Sequence, residues 1–429
     1  MPVIQFNAYF IFILAILIGN YLLDTIANLL NVRHAKVHLP REFVGCYDQE
    51  KYRKSQKYLK ENTRFSIIMD SITTPALIAF ILWGGFNAVD QYARSFHLGT
   101  IPTGLIFAGL LMLAFQVFHL PFSVYETFVI EERYGFNKTT ARTFVLDILK
   151  GWGLAAVIGG ILLGLVLWFF EKTGSRAWLY CWFSVTLFQL FLMFIAPVVI
   201  LPLFNKYVPL VEGALKEAIE NYARAQNFKM KGVFTMDGSK RSTKSNAFFT
   251  GFGRFRRIVL FDTLIQKHPI GELVSIVAHE MGHYKKRHII KAMVLSFITS
   301  GVMFFILSLF INNKGLSAAF GMQKTSIYAS LFFFGFLYSP IETILSIFGN
   351  MLSRKNEYEA DAYAFTTYGT PEAMIGALKR LSVENLSNLT PHPLKVFLAY
   401  SHPPVLERIR AIQKQPAEPA PSLTVSEPV

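Results

Sequence analysis

Residues 148–170 read ILKGWGLAAVIGGILLGLVLWFF, and residues 101–125 read IPTGLIFAGLLMLAFQVFHLPFSVY. Each is long enough to cross a bilayer as a helix, which takes about 20 mostly apolar residues. Working outward from these two, comparable runs lie at 8–30, 66–86, 177–204, 292–312 and 326–349, so the expectation is seven spans. Asp24, Asp70, Pro75, Pro340 and Glu342 interrupt three of them. Lipid cannot satisfy such groups, so those positions are expected to face protein or water. The first run lacks a basic stretch before it and exceeds the length of a leader's apolar region, about 15 residues, so it reads as a retained span.

Composition agrees. Of 429 residues, 52% are hydrophobic and only 16% charged, whereas a soluble domain carries about 25% charge. A net charge of +14 first suggests nucleic acid, but the placement of the charge argues for a membrane. Arg33, Lys36, Arg41, Lys51, Arg53, Lys54, Lys57, Lys60 and Arg64 crowd residues 31–64, and the region 205–291 is also basic. Residues 87–100 hold only Arg94, and residues 313–325 only Lys314 and Lys324. That alternation is the positive-inside pattern. It puts the N-terminus outside, and the 205–291 region and C-terminus in the cytoplasm. A lipid bilayer is therefore the expected partner, and nucleic acid is not. Cys46 and Cys181 suggest neither a disulfide framework nor a sulfur-ligated metal, and read as inert free thiols.

The resulting organisation is five spans with loops in 1–204, a polar segment in 205–291, two spans in 292–349, a second polar segment in 350–412, and a Pro-rich tail in 413–429 expected to be disordered. Within the first polar segment, 210–226 has helical spacing and KMKGVFTMDG (229–238) reads as a strand ending in a turn. SNAFFTGFGRFRRIVLFDTLI (245–265) reads as two strands joined around Gly251 and Gly253, and 270–288 returns to a helix. In the second polar segment, 353–368 and 371–383 read as helices, the latter with Thr370 as N-cap and Pro371 at its first position.

The chemistry starts at His279-Glu280-Met281-Gly282-His283. Histidines four apart on a helix share a face and can share one ion. A bound zinc acidifies water, and a glutamate beside the first histidine can take the proton as the water attacks a carbonyl. A catalytic zinc needs a third protein ligand and an open position. Glu357, in SRKNEYEAD (353–361), is the candidate ligand, with Asp361 one turn on to accept a ligand histidine's second N–H. The spacing fits equally well a solvated face paired to Arg354 and Lys355. His402, backed by Pro403 and Pro404, suits a donor to a developing oxyanion, and an ordinary structural histidine as well. Asn246-Ala247 opens either a substrate-pairing strand or a core hairpin. Lys285, Lys286, Arg287 and His288 read as a basic flank to the sixth span.

Taken together, EERYGFN (131–137), Asn246-Ala247 with Gly251-Phe252, HEMGH (279–283), SRKNEYEAD (353–361) and SHPPVLERI (401–409) resemble the integral-membrane CAAX prenyl protease family over residues 20–412. The resemblance implies one Zn2+ per chain held by His279, His283 and Glu357, with Glu280 as general base. It further implies His402 as transition-state donor with Arg408 supporting it, and Asn246 against the substrate backbone. The implied fold is an α-helical multi-pass membrane protein: seven tilted helices form a barrel around a large chamber, which a zinc domain with a small β-hairpin or sheet caps on the cytoplasmic side. The implied substrate is a prenylated CAAX-type peptide or protein cut near its C-terminus. For a bacterial chain in a cytoplasmic (inner) membrane, membrane-protein quality control is the alternative; for a eukaryotic one the membrane is the endoplasmic reticulum's. A channel or scaffold with an incidental HEMGH helix is the reading from another class.

Overall fold

A backbone inside lipid must satisfy its polar groups within itself, so the long apolar runs fold as helices. The computed structural model describes residues 4–251 and 256–416, and among them seven helical segments are long and apolar enough to span. The Gly253 turn and the tail from 417 onward lie outside the described residues; Gln413, placed with the tail above, closes the last helix.

The spans begin with α1 (Ala8–His34) and α2 (Gln49–Leu82), whose first turns are capped by the side chains of Asn7 and Asp48. A short helix, α3 (Gly85–Arg94), leads into α4 (Thr100–Tyr125), which continues through a π turn at Glu126–Glu131. The fourth span is α5 (Ala141–Leu154) and α6 (Gly160–Lys172), joined by a π turn at Ala155–Gly159. The fifth is α7 (Ala177–Ile195) and α8 (Leu201–Phe204), joined by another at Ala196–Ile200.

The polar segment that follows contains β1 (Tyr207–Pro209), α9 (Ala214–Ala225), β2 (Gly232–Met236), β3 (Ala247–Thr250), β4 (Arg257–Phe261), α10 (Asp262–Lys267) and α11 (Ile270–Lys285). The four strands form one sheet in the order β1-β2-β4-β3, parallel only between β2 and β4. The expected β3–β4 pairing is present with Ala247 opposite Leu260, and it leaves β3 as an edge strand. The three-residue β1 was not expected, because it is too short to carry a two-residue period.

After α12 (His288–Phe310) and the short α13 (Lys314–Ala319), the seventh span departs from the sequence reading. The run at 326–349 and the helix expected at 353–368 are a single 42-residue helix, α14 (Ile327–Tyr368), capped by Ser326 and stopped by left-handed Gly369. The change from apolar to polar residues near 350 marks a change of surroundings, and the helix runs on through Gly349 and Asn350 without a break. The chain closes with α15 (Pro371–Glu384), α16 (Pro393–Ala399) and α17 (Val405–Gln413). Thr370 is the cap residue of α15, but its hydroxyl turns back to the Tyr368 carbonyl instead of capping.

Neighbouring spans run α1–α2, α4–α6, α6–α7, α7–α12, α12–α14 and α14–α1, with Phe65 stacked on Tyr125 joining α2 to α4, so the ring is closed. At one end α14 also touches α4 and α6, and Phe86, Phe107, Leu167, Phe320, Tyr328 and Phe333 form an apolar floor. Elsewhere the spans are sparsely packed: at most 22% of any span's apolar window is buried, whereas a solid bundle buries roughly three positions in seven. The ring is therefore hollow. Polar groups also meet between the spans: Asn20 of α1 donates to Ser339 of α14 at 3.1 Å, and the Tyr21 hydroxyl of α1 meets that of Ser71 on α2 at 2.9 Å. The sheet domain sits opposite the floor around its own core, where Ile219, Tyr222, Val233, Ile258 and Leu260 meet Leu273, Val277 and Met281 of α11.

Candidate metal centre

The helix α11 is amphipathic in a way that aims its chemistry. Leu273, Val274, Val277, Ala278 and Met281 are buried in the sheet-domain core, which leaves His279, Glu280 and His283 on the opposite, half-buried side. Its first turn is anchored by buried Glu272, which binds His268 at 2.7 Å and Arg380 at 3.0 and 3.3 Å. The crossing with α14 is close because Gly282 and Ala360 are both small.

From α14 comes Glu357. His279 Nε2 and His283 Nε2 are 3.1 Å apart, His279 Nε2 is 3.4 Å from Glu357 Oε2, and His283 Nε2 is 3.3 Å from Glu357 Oε1. A tetrahedral ion with bonds of about 2.05 Å has edges of about 3.3 Å, so these donors fit one metal. Glu357 Oε2 is buried, and its close neighbours are the ion-pair contact from Arg408 at 3.2 Å and His279 Nε2 at 3.4 Å, so a carboxylate oxygen faces the histidine pair with lone-pair capacity to spare for a cation. These three residues could hold the ion.

The surroundings orient the donors. His279 Nδ1 is 2.8 Å from Asp361 Oδ1, which assigns its proton to Nδ1 and leaves Nε2 free for a metal. Arg408 on α17 forks onto Asp361 at 2.8 and 2.6 Å and lies 3.2 Å from Glu357 Oε2. Asp361 thus meets both His279 and Arg408, while Arg408, expected beside His402, pairs with Asp361 and Glu357. Arg354, the alternative partner for the acids, instead turns to the Val396 and Tyr400 carbonyls at the end of α16. That contact steadies the Ser401–His402 loop. His402, exposed for two-thirds of its side chain, places Nε2 3.4 Å from Glu357 Oε1, while Nδ1 meets the Ser401 hydroxyl at 3.0 Å.

Glu280 makes no hydrogen bond among the described residues. Burial raises its carboxyl pKa; the nearby His279 and His283 pull it down, and Glu357 pushes it up. A carboxylate made more basic but left unbonded is suited to accept a proton. Burial alone would lower the His279 pKa, but the hydrogen bonds to Asp361 and Glu357 outweigh it and lift the value to about 9.

Asn246 stands apart from this cluster. It is exposed at the head of the edge strand β3, its backbone carbonyl takes the Phe261 N–H at 3.1 Å, and its side-chain oxygen takes the Ala247 N–H at 2.9 Å. One participant was missed. His288, read above as part of a basic flank, is buried, with Nδ1 3.0 Å from His283 Nδ1 and Nε2 3.0 Å from Glu359 Oε2. With His283 Nε2 facing the donor set, its Nδ1–H donates to His288 Nδ1, and His288 Nε2–H donates to Glu359. Arg287, left-handed at φ 58°, makes the turn that folds His288 back. No local pattern announces such a contact.

A hollow ring of spans with a helix-borne histidine pair facing a carboxylate at its sheet-domain end defines a membrane metalloendopeptidase. Residues 28–206 match the family model described as CAAX prenyl protease N-terminal, five membrane helices, and residues 209–415 match Peptidase family M48. The chain belongs to the CAAX prenyl protease branch of peptidase family M48. It is 35% identical to the CAAX prenyl protease 1 homolog of Arabidopsis thaliana, over 93% of this chain and 96% of that one. It is 34% identical to CAAX prenyl protease 1 of Saccharomyces cerevisiae, over 88% and 89% respectively. The crystal structure of S. mikatae Ste24p superposes with a TM-score of 0.90 at 32% identity, covering 95% of this chain and all of that one.

Proposed function

We propose that this chain is a zinc endopeptidase that cuts near the C-terminus of prenylated CAAX-type substrates, with one Zn2+ on His279, His283 and Glu357. The observation that carries it is the convergence of the three donor groups: the histidine Nε2 atoms are 3.1 Å apart, and each lies 3.3–3.4 Å from one oxygen of Glu357, spacings close to the edge of a tetrahedral site. When bound, the zinc polarises a carbonyl and acidifies water. Glu280 takes the attacking water's proton and returns it to the leaving amine. His402 donates to the oxyanion as it forms, from a loop held by Arg354. Asp361 keeps His279 in its working tautomer, and Arg408 offsets the negative charge of Asp361 and Glu357. Asn246 and the free edge of β3 hold the substrate backbone by strand pairing. The CAAX preference is supported by the relatives, which are CAAX prenyl proteases by name. The lysine and arginine distribution supports the cytoplasmic side for this site, of the inner membrane in a bacterium or of the endoplasmic reticulum in a eukaryote.

The test is cleavage of a farnesylated CAAX peptide by the purified protein. The activity should be abolished by chelators and restored by zinc. Glu280→Ala should retain one zinc and lose cleavage. Stoichiometric zinc without hydrolysis would sink the proposal, and equal cleavage of the unprenylated peptide would move the function to membrane-protein quality control.

A further inference from the structure

The EERYGFN segment contributes nothing to the donor cluster, yet it is laced to the chain that leads into β3. Glu131, at the end of the third span, takes the Tyr58 hydroxyl from α2 on Oε1 and the Lys244 ammonium on Oε2 at 2.8 Å. Lys244 Nζ also donates to the Tyr58 hydroxyl at 2.9 Å and sits over the Phe136 ring at 4.5 Å. Between these side chains the backbones pair: Thr243 N–H to Phe136 O at 3.0 Å, Lys138 N–H to Arg241 O at 3.0 Å, and an isolated antiparallel bridge between Asn137 and Ser242. Arg241 forks onto Asp147 of α5 at 2.7 and 2.8 Å. Residues 241–244 are thus fastened to the second, third and fourth spans, and Asn246 follows only two residues later.

On its far side the same chain is held by the sheet domain: Lys267 Nζ donates to the Thr243 carbonyl at 2.6 Å, Phe261 N–H donates to the Asn246 carbonyl at 3.1 Å, and β3 pairs with β4. Ser245 exchanges two hydrogen bonds with Asn385, and the Lys244 carbonyl accepts Thr263 Oγ1 at 2.9 Å. Of these contacts at residues 243–246, Lys244–Glu131 is the one in which both partners are ionised, and charge-assisted bonds are roughly twice as strong as neutral ones. The segment that leads into β3 is therefore anchored from both sides, by β4 and Lys267 in the sheet domain and by Glu131 from the membrane spans.

We propose that Glu131 and Lys244 are positioning residues that fix the register of a substrate strand on β3, so that the spans determine which peptide bond reaches Glu280. This rests on the reading of β3 as the substrate edge. A one-residue slip along a strand turns every side chain to the other face, so register is a sharp readout.

The experiment uses full-length protein and the farnesylated CAAX peptide. In a Glu280→Gln background, where binding is read without turnover, Lys244→Met and Glu131→Gln should each weaken peptide binding about tenfold, and Lys244→Arg should restore it to within about threefold. In the active protein the same variants should raise KM about tenfold with little change in kcat, retain the bound zinc, and yield products cut at neighbouring bonds by mass spectrometry. Unchanged binding with a single unchanged cut would overturn the proposal. So would a loss of zinc and kcat that Lys244→Arg does not repair, since that is the signature of a structural brace. Failure of the parent to cleave counts against the proposed function alone; the binding arm still decides the positioning role.

Discussion

Gly282 lies against the backbone of Ala360: a Cβ on the glycine would sit 3.0 Å from Ala360 Cα and 3.1 Å from its carbonyl oxygen. Backbone cannot swing aside, so α11 and α14 must separate to admit a side chain. Since His279 and His283 are on one helix and Glu357 on the other, separation opens the donor triangle directly. Gly282→Val is expected to cost about 1–3 kcal/mol of stability and to weaken zinc binding by more than tenfold. Thermal unfolding together with competition against a calibrated chelator checks both; unchanged zinc affinity would mean that the helix spacing is not what sets the site.

A relay behind His283 makes a second prediction. His288 accepts from His283 and donates to Glu359, which also lies 3.6 Å from Lys291 Nζ. Groups behind a ligand imidazole typically contribute 10–100-fold in metal affinity. His288→Ala should lose about that much, and Glu359→Gln less, because its amide can still accept. Titration calorimetry with zinc on the metal-free protein measures the difference.

Proton release supplies a third. In the metal-free protein His279, with a pKa of about 9, is protonated at neutral pH, and it must lose that proton to act as a ligand. Zinc binding near pH 7 should release about one proton, and affinity should rise roughly tenfold per pH unit until about pH 9, then level off. Asp361→Asn, which removes the first of the two hydrogen bonds that raise the pKa, should shift the plateau to lower pH. Calorimetry in buffers of different ionisation heat reads the proton count; none released at pH 7 would contradict the assignment.

Acid stability gives a fourth. Burial raises the Glu272 carboxyl pKa, but His268 and Arg380 outweigh this and hold it below 4.5. Because the folded value is the lower one, the carboxylate stabilises the fold above about pH 4.5, and that contribution is lost as pH falls through the folded value. Glu272→Gln should cost about 2 kcal/mol at pH 7, less than a fully buried pair because Arg380 is half exposed. Melting curves of parent and variant should converge on acidification.

What could be read from residues alone was whatever repeats or whatever chemistry confines. Lipid tolerates few sequences, so all seven spans were legible. HEMGH has few uses besides a metal, and the Glu357–Asp361 spacing pointed both groups the same way. The unity of α14 was hidden because hydropathy reports surroundings and not helix continuity. His288 and the Lys244–Glu131 pair were hidden for a different reason: each depends on a fold-back or on segments more than a hundred residues apart, and neither leaves a period in the sequence.

The length of α14 has one more implication. Forty-two residues at 1.5 Å each make about 63 Å of helix, with Pro340 inside it, packed into the floor at Tyr328 and carrying Glu357 about 43 Å further along the chain's path. Rocking such a rod by about 2° about its floor end shifts the carboxylate by about 1.5 Å, which is most of a metal–ligand bond length. One helix thus joins the floor of the ring to the donor cluster, so a change of tilt at the floor end would be magnified at Glu357.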